Sequence, residues 1–444
     1  MLSASTIRSL YNAFSPVDPL VVHVPRNLEA VNYAEDTLST VDPRYVDFSE
    51  VRDSAKVLQR MARKIRWSDH PTCQLLSGHR GCGKTTELNV LISELQKDDP
   101  PYFVVYCEAD SLLSLDDVNA LDVLLAVARR VAEDVTALGV ELTSSKFVAL
   151  WQSLSSHIEI TGADFGSEIT KIGMELRQNA SLRSLVRQRI ATHNLNKYVD
   201  AINEIIQSAR HQLQARGYAD LVMVVDNLDR ILRTPIPYTS NNQQEELFIA
   251  NSVLLTSLDC FLIYTVPPAL VHSSRGEGLQ IQYGTEPYII PMIPVETLEG
   301  KRYQPGIDKL MEALEKRVAY VGATFEEVFD TRETAEWLCE VSGGYLRGLM
   351  GMMRTAIASA DDLPMNRKTI EEVVRQSRRL YASGIYQEHW DILDQVHRTK
   401  RVPTGRSSVE LQDNLAILEY ADDQGIWFDV NPVLLQEDRF RIQN

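Results

Sequence analysis

Gly78-His79-Arg80-Gly81-Cys82-Gly83-Lys84-Thr85 spells G-x-x-x-x-G-K-T, the pattern of a phosphate-binding loop, and Thr86 follows it directly. In such a loop the glycines let successive backbone N–H groups converge on a di- or triphosphate. The ammonium of Lys84 then neutralises the β and γ oxygens, and the hydroxyl of Thr85 completes a magnesium shell. We therefore predict that residues 78–86 bind a nucleotide with Mg²⁺. A Gly-rich turn without a ligand is the alternative interpretation.

The residues on either side of this loop supply the setting that it needs. The apolar run Cys73–Leu76 precedes the loop and is typical of a buried parallel strand. Behind the loop, apolar residues recur at helical spacing, namely Leu88, Leu91, Ile92 and Leu95. A strand, a glycine-rich loop and a helix in this order favour nucleotide binding over a plain turn.

The composition is that of an ordinary globular protein, with 44% hydrophobic residues in 444 and a net charge of −16. Such a length leaves room for two or three domains, and such a charge disfavours undirected binding to DNA or to an anionic membrane. No apolar run approaches the roughly 20 residues that span a bilayer, and Met1–Pro16 lacks the apolar core of a secretory signal. We therefore expect no membrane partner.

The cysteines are scattered and form no C-x-x-C pair, which predicts core packing in a reducing cytoplasm and neither disulfides nor zinc sites. They are Cys73, Cys82, Cys107, Cys260 and Cys339.

Apolar, β-branched runs alternate with helical patterns through the first two thirds of the chain, which predicts an α/β fold with a parallel sheet and helices on both faces. The predicted strands are 73–76, 102–107, 221–226, 261–266 and 288–290. From Ile307 onward helical periodicity takes over. Two strand-like runs, Ala416–Tyr420 and Ile426–Val430, then flank a predicted hairpin turn.

Asp226 ends the most hydrophobic strand, where a carboxylate points at a magnesium ion held by Thr85. The next residue, Asn227, can orient water but cannot take its proton, and Asp229 is the nearest acid beyond it. Either turnover is slow, or Asp229 acts as the base. A plain strand-end turn is the alternative role for Asp226.

Three further positions carry cations or hydroxyls that suit phosphate chemistry. Arg230 and Arg233 are candidates for an arginine finger that reaches a neighbouring subunit's γ-phosphate. Thr265 ends a strand beside the loop, where its hydroxyl senses the γ-phosphate. Arg347 begins a helix after Gly343-Gly344 and contacts a phosphate from a separate helical unit. For each arginine a solvated or ion-paired surface role is the alternative.

The ordered set of these motifs resembles the AAA+-like and STAND P-loop ATPases, nearest to the branch shared by STAND signal-transduction and origin-recognition-type ATPases. The resemblance implies a core sheet of order 5-1-4-3-2, a helical lid and a C-terminal winged-helix domain. It matches Thr265 to sensor 1 and Arg347 to sensor 2. The pair Asp226-x-x-Asp229 looks like the paired acids of the NACHT group, except that Arg230 replaces the last acid.

With this resemblance the chain divides into an N-terminal arm (1–45), an ATPase core (46–300), a helical lid (301–382) and a winged-helix-like domain (383–444). About 140 residues separate Lys84 from Asp226, more than neighbouring βα units require, which predicts a helical insertion at about 143–216. Arginines in this insertion are candidates for pairing with a partner, or for a solvated helix face. They are Arg183, Arg187 and Arg189.

A basic patch accompanies the predicted winged helix, at Arg398, Lys400, Arg401 and Arg406. Such a patch binds duplex DNA in some winged helices, whereas STAND proteins use the module to clamp the nucleotide. Nearby acids dilute the charge and favour the clamp.

The sequence thus predicts an ATP-binding, Mg²⁺-dependent ATPase switch that forms a homo-oligomer and controls a separately encoded effector. By analogy with STAND systems, that effector belongs to bacterial antiviral defence. Two other classes stay open: a DNA-binding AAA+ regulator or loader, and a scaffold that binds nucleotide without hydrolysing it.

Overall fold

The five predicted strands pair into one parallel sheet in the computed structural model, which describes residues 2–16, 42–52, 54–154 and 165–435. The strands are β1 (Cys73–Ser77), β2 (Phe103–Glu108), β3 (Leu221–Asp226), β4 (Phe261–Val266) and β5 (Tyr288–Ile289). Their order is β2-β3-β4-β1-β5, which is the predicted order 5-1-4-3-2 read from the other edge. This confirms the predicted α/β fold and the parallel sheet of a P-loop NTPase.

Helices cover both faces of the sheet. Those before β3 are α1 (Ala4–Ala13), α2 (Ser49–Arg52), α3 (Ser54–Trp67), α4 (Lys84–Gln96), α5 (Ala109–Leu112), α6 (Ala120–Ala137), α7 (Ser145–Leu154), α8 (Phe165–Gln178), α9 (Ala180–Arg189) and α10 (Leu195–Ala215). Those between β3 and β5 are α11 (Gln243–Glu245), α12 (Ser252–Leu255), α13 (Pro268–Val271) and α14 (Gly276–Tyr283). Short 3₁₀ turns occupy Leu115–Asp117, Leu228–Arg230 and Phe325–Glu327, and π-helical turns occupy Ile190–Asn194 and Glu246–Ala250.

Alternate residues of β2 and β3 face opposite layers, as the pleat of a strand requires. Val104, Val222 and Val224 lie in the apolar core that also holds Leu88 and Leu91 of α4. The residues between them face the other layer, where they pack with α6. The side chains that share a face with Val104 and Val224 therefore point toward the helix that follows the glycine-rich loop.

The stretch predicted to be an insertion is helical in its described part. Helices α7 to α10 lie between α6 and β3 and pack on α6, where Trp151, Tyr198 and Ile205 are fully buried. Residues 155–164 of the predicted insertion lie outside the described residues.

The predicted lid is helical, and the N-terminal helix packs against it. Its helices are α15 (Gln304–Tyr320), α16 (Arg332–Val341), α17 (Leu346–Ser359) and α18 (Arg367–Ser383). Leu10 and Phe14, at and just beyond the end of α1, share one buried core with Leu310 and Met353. Residues 17–41 of the predicted arm lie outside the described residues, and the four domain boundaries stay predictions.

Two helices and a hairpin end the described chain: α19 (Gln387–Thr399), α20 (Arg406–Asp413), β6 (Ile417–Asp422), β7 (Gly425–Val430) and the short α21 (Pro432–Leu435). The strands β6 and β7 are antiparallel and pair Asp422 with Gly425 at the turn, so the predicted hairpin is confirmed. The winged-helix assignment stays a prediction, and residues 436–444 lie outside the described residues. No helix in the described part of the chain is long and apolar enough to cross a membrane.

Candidate nucleotide-binding site

The glycine-rich loop connects β1 to α4 and leaves the first-turn amides of α4 open for an anion. Gly81 needs to be glycine on two counts. Its φ is +80°, and an added Cβ would lie 2.5 Å from Cβ of Arg347. The Arg347 amide also donates to the Gly81 carbonyl at 3.3 Å. The helix α17, which carries Arg347, therefore touches the loop directly.

Lys84 is buried and points at groups of its own loop and at one carboxylate. Its Nζ lies 2.6 Å from the Gly78 carbonyl, 3.0 Å from the His79 carbonyl and 3.1 Å from Oδ2 of Asp229. Burial lowers the pKa of Lys84, but the Asp229 carboxylate, with Cys82 and Asp226, more than offsets this, so the pKa lies above its ordinary value. Lys84 is therefore a charged ammonium at the end of the loop.

Thr85 and Asp226 meet as the sequence predicts. The Thr85 hydroxyl donates to Oδ2 of Asp226 at 2.7 Å, and the Tyr106 hydroxyl donates to the same oxygen at 2.9 Å. The backbone N–H of Asn227 donates to the other carboxylate oxygen, Oδ1, at 2.7 Å. Burial and the neighbouring carboxylates raise the pKa of Tyr106, so its hydroxyl keeps the proton that it donates.

The hydroxyl of Thr85 and the carboxylate of Asp226 are the hard oxygen donors that Mg²⁺ prefers. Among the described residues no group of three or more His, Cys, Asp and Glu side chains is suited to a metal ion. A cation here would therefore take its remaining ligands from phosphate and water, as Mg²⁺ commonly does. These residues fit a magnesium ion that arrives with a nucleotide.

A cavity of about 320 Å³ opens in front of the loop, within the range of small-molecule sites. Several predicted residues line it: Arg80, Gly81, Gly83, Lys84, Thr85, Thr86, Asp226, Asn227, Asp229, Arg230 and Arg347. A larger concavity, of about 500 Å³, lies between α6 and α8, away from the loop and its lysine.

The far wall of the cavity comes from segments that the sequence analysis missed. Tyr45, Val46 and Phe48 line it from the chain that precedes α2, and Arg317 lines it from α15. Burial, with the nearby Arg44, lowers the pKa of Arg317 to about 10. Aromatic and apolar groups beside buried cations suit a nucleoside at one end and phosphates at the other.

Four predicted ligand residues are absent from the cavity lining, namely Gly78, His79, Cys82 and Thr265. Gly78 offers its carbonyl to Lys84, and Cys82 is fully buried in the core beneath the loop. Thr265 is fully buried, and its hydroxyl accepts from the Leu228 amide at 3.1 Å. It therefore holds the turn after Asp226, and its role as a γ-phosphate sensor stays a prediction.

His79 is buried and is also absent from the cavity lining. Burial lowers its pKa to about 4, against the opposing charge of Glu419. Oε1 of Glu419 lies 2.9 Å from Nε2 of His272, and the Glu419 carbonyl accepts from the Met292 amide at 2.8 Å. The loop and β6 also contribute to one buried core, in which Cys82 lies with Leu418 and Tyr420.

The hairpin also reaches the turn before α17. Tyr420 donates to the Gly343 carbonyl at 2.8 Å, and an added Cβ at Gly343 would lie 2.6 Å from Cδ of Pro432. Loop, hairpin and Gly343-Gly344 turn are thus in mutual contact.

Of the two predicted finger arginines, Arg230 lies at the chain's own site and Arg233 does not line it. Arg230 pairs with Asp110 at 2.5 Å and lines the cavity. Arg233 is near enough to Asp413 of α20 to lower the pKa of that carboxylate, although burial raises this pKa more strongly. Arg230 therefore pairs within its own chain, whereas Nη1 of Arg233 is buried without a hydrogen-bond partner among the described residues.

The insertion arginines pair within the chain. Arg183 pairs with Asp117 at 2.9 Å, Arg187 pairs with Asp117 and Asp122, and Arg189 donates to the Leu154 carbonyl at 2.5 Å. Neither of the two predicted roles, partner binding or a merely solvated face, describes these contacts.

Part of the predicted basic patch is neutralised in the same way. Lys400 pairs with Asp429, and Arg406 pairs with Glu410 at 3.0 Å. All five cysteines are buried, which confirms their reading as core residues.

Sequence reasoning missed three polar groups of the site on β2 and α5, namely Tyr106, Glu108 and Asp110. Acidic residues directly after a buried run were the available signal, because carboxyl ends of parallel strands meet at one edge.

Strand order, glycine-rich loop and the Thr85–Asp226 contact together define a P-loop NTPase fold. A family model for the KAP family P-loop domain matches residues 54–240. A comparison with curated proteins gives no match.

Among solved structures, the Walker-type ATPase PABY2304 of Pyrococcus abyssi is similar, with 14% identity, a TM-score of 0.45, and 87% of this chain and 95% of that chain covered. The ORC2 protein of Aeropyrum pernix, with bound ADPNP and ADP, has 12% identity, a TM-score of 0.41, and coverage of 88% and 94%. The ORC1 protein of the same organism, in complex with DNA, has 13% identity, a TM-score of 0.38, and coverage of 88% and 94%. The STAND and NACHT assignments stay predictions.

Proposed function

We propose that this chain binds ATP with Mg²⁺ in the cavity at the glycine-rich loop and hydrolyses it slowly. One observation carries the proposal: Thr85 lies 2.7 Å from Asp226, beside a buried, charged Lys84 at the open end of α4. Amides and an ammonium for phosphate, with a hydroxyl and a carboxylate for a cation, form the set of groups that a nucleoside triphosphate requires.

When bound, Mg²⁺ would neutralise charge that develops on the transferring phosphoryl group. In the described structure Lys84 is engaged by Asp229 and two loop carbonyls, so it must exchange these contacts for phosphate oxygens when a triphosphate enters. Arg347 lies across the loop from Lys84, on the helix that touches Gly81. Ligand binding in this cavity would therefore bias the position of α17 relative to the loop.

Nucleotide calorimetry tests this proposal with a matched pair of variants on one helix. Lys84→Ala removes the buried ammonium at the start of α4, and Lys97→Ala removes an exposed one at its end. We expect ATP with Mg²⁺ to bind wild type and Lys97→Ala, and affinity for Lys84→Ala to fall by roughly 100-fold or more. ATP uptake that is the same in all three proteins would refute the site. GTP measured alongside tests the preference for adenine.

The switch proposal adds that nucleotide binding changes assembly. Its support is the packing of the loop with two later elements: Gly81 contacts α17, and Cys82 shares a buried core with Leu418 of β6. We expect the solution mass to rise with ATP and to fall after hydrolysis. A solution mass that does not depend on nucleotide would refute the proposed nucleotide-dependent assembly. Control of a separate effector stays a prediction, and so does its place in antiviral defence.

A further inference from the structure

Five acids line the cavity, and four of them contact other side chains. Glu87 pairs with Arg52 at 2.5 Å. Asp226 accepts from Thr85 and Tyr106, and Asp229 is held by Lys84. Asp110 accepts from the Asn227 amide group at 3.0 Å and from Arg230 at 2.5 Å. For Glu108, the fifth, no hydrogen bond or ion pair of the carboxylate is found with any described residue.

Glu108 lies beside the acid that is expected to hold the metal. It is the last residue of β2, and the parallel register places it directly opposite Asp226 on β3. Adjacent strands run about 4.8 Å apart. The alternation of β2 puts Glu108 on the face of Val104 and Tyr106, and Tyr106 does reach Asp226 on that face. The Glu108 carboxylate thus faces the loop and lines the cavity half-buried.

We propose that Glu108 is the base that accepts a proton from the attacking water, an inference that rests on the proposed ATP hydrolysis. Lys84 and Thr85 mark the end of the cavity where the β and γ phosphates lie, and Glu108 lies at this end. A base must reach the water that attacks the terminal phosphorus, and among the described residues that line the cavity Glu108 is the carboxylate with no hydrogen-bond or ion-pair partner.

The proposed reaction is hydrolysis of ATP by one water molecule, with Glu108 as the proton acceptor. The water oxygen forms a bond to the γ-phosphorus, and the bond from that phosphorus to the bridging oxygen breaks, leaving the electron pair on ADP. One proton of the water passes to the Glu108 carboxylate, which later releases it to solvent. Inorganic phosphate and ADP are the products.

Asp229 has a different role under this proposal. Its side chain is 5% exposed and pairs with Lys84, which is 7% exposed. Removing the Asp229 charge leaves a buried ammonium without its counter-ion, which alters binding at the loop. Asn227 is also engaged, because its side-chain amide donates to Asp110. The two acids are therefore separable, since loss of Asp229 changes affinity and loss of Glu108 changes turnover.

The test compares Glu108→Gln with Asp229→Asn and with Glu277→Gln, an exposed control on α14. Affinity is measured with a non-hydrolysable ATP analogue, and turnover with radiolabelled ATP in single-turnover reactions. We expect Glu108→Gln to bind the analogue within about threefold of wild type and to lose roughly 100-fold or more in kcat. ATP recovered from this variant after gel filtration remains ATP, whereas wild type yields ADP. Glu108→Asp should recover part of the rate.

Each other outcome is informative. Wild-type turnover in Glu108→Gln overturns the inference and leaves the proposed function standing. Unchanged affinity with lost turnover in Asp229→Asn, beside an active Glu108→Gln, assigns the base to Asp229. Wild type that binds ATP without any phosphate release overturns hydrolysis itself, and the inference with it. Equal melting temperatures of the variants exclude loss of fold as the cause.

Discussion

Loss of the Glu87 carboxylate should destabilise this protein strongly, because it would strand a buried arginine beneath the glycine-rich loop. Nη2 of Arg52 lies 2.5 Å from Oε1 of Glu87, and the two side chains are 2% and 6% exposed. Nη1 of Arg52 donates to the Cys82 carbonyl at 2.6 Å, and Nε finds no partner among the described residues. In Glu87→Ala this cation would keep one carbonyl and the ring of Phe48, 5.3 Å away.

Breaking a buried pair by removing one partner costs about 3–5 kcal/mol. Each kcal/mol lowers the melting temperature by about 2–4 °C in a domain of about 150–250 residues, so we expect a fall of roughly 6–20 °C. Calorimetric scans without nucleotide give the value. Glu94→Ala, at an exposed position of the same helix, is the control and should shift the transition by about 2 °C or less.

A double variant separates the stranded charge from lost packing. Arg52→Met with Glu87→Leu removes both charges and keeps apolar volume, so it should melt above Glu87→Ala. The reasoning is refuted if Glu87→Ala has the same melting temperature as Glu94→Ala, or if the double variant has a melting temperature no higher than that of Glu87→Ala.

Two further predictions concern the site and its contact with the hairpin. Tyr106→Phe removes the hydroxyl that donates to Asp226 at 2.9 Å and should cost about 1.5–3 kcal/mol, read as a lower melting temperature; an unchanged transition would contradict the contact. The pKa of His79 is lowered from 6.5 to about 4 by burial, so the unfolded chain takes up a proton that the folded chain refuses. The stability from His79 is present above about pH 6.5 and is lost as pH falls toward about 4. His272 acts in the opposite direction. Burial lowers its pKa, but the hydrogen bond to Glu419 and the charge of that residue together raise the pKa above its ordinary value. His79→Gln should therefore lose less stability than wild type between about pH 7 and about pH 5 in thermal scans, and equal slopes would refute the assignment.

Patterns among residues close together in the sequence determined much of the secondary structure of this protein. The motif at residues 78–85 fixed a strand, a loop and a helix within a short stretch, because glycine conformations and apolar spacing act between near neighbours. The long apolar runs were equally decisive, since a strand buried on both faces requires them. The gap between Lys84 and Asp226 indicated the insertion by length alone, and the resemblance supplied the strand order.

Tertiary structure decided where the polar side chains point. Glu108 and Asp110 join Asp226 only because β2 pairs with β3, a contact between distant segments that no local pattern encodes. His79 belongs to the phosphate motif but is buried outside the cavity lining, and Thr265 lies near the end of β4 but accepts a hydrogen bond from the turn after Asp226. A motif constrains its own backbone, whereas the partner of each side chain is set by which remote elements pack beside it.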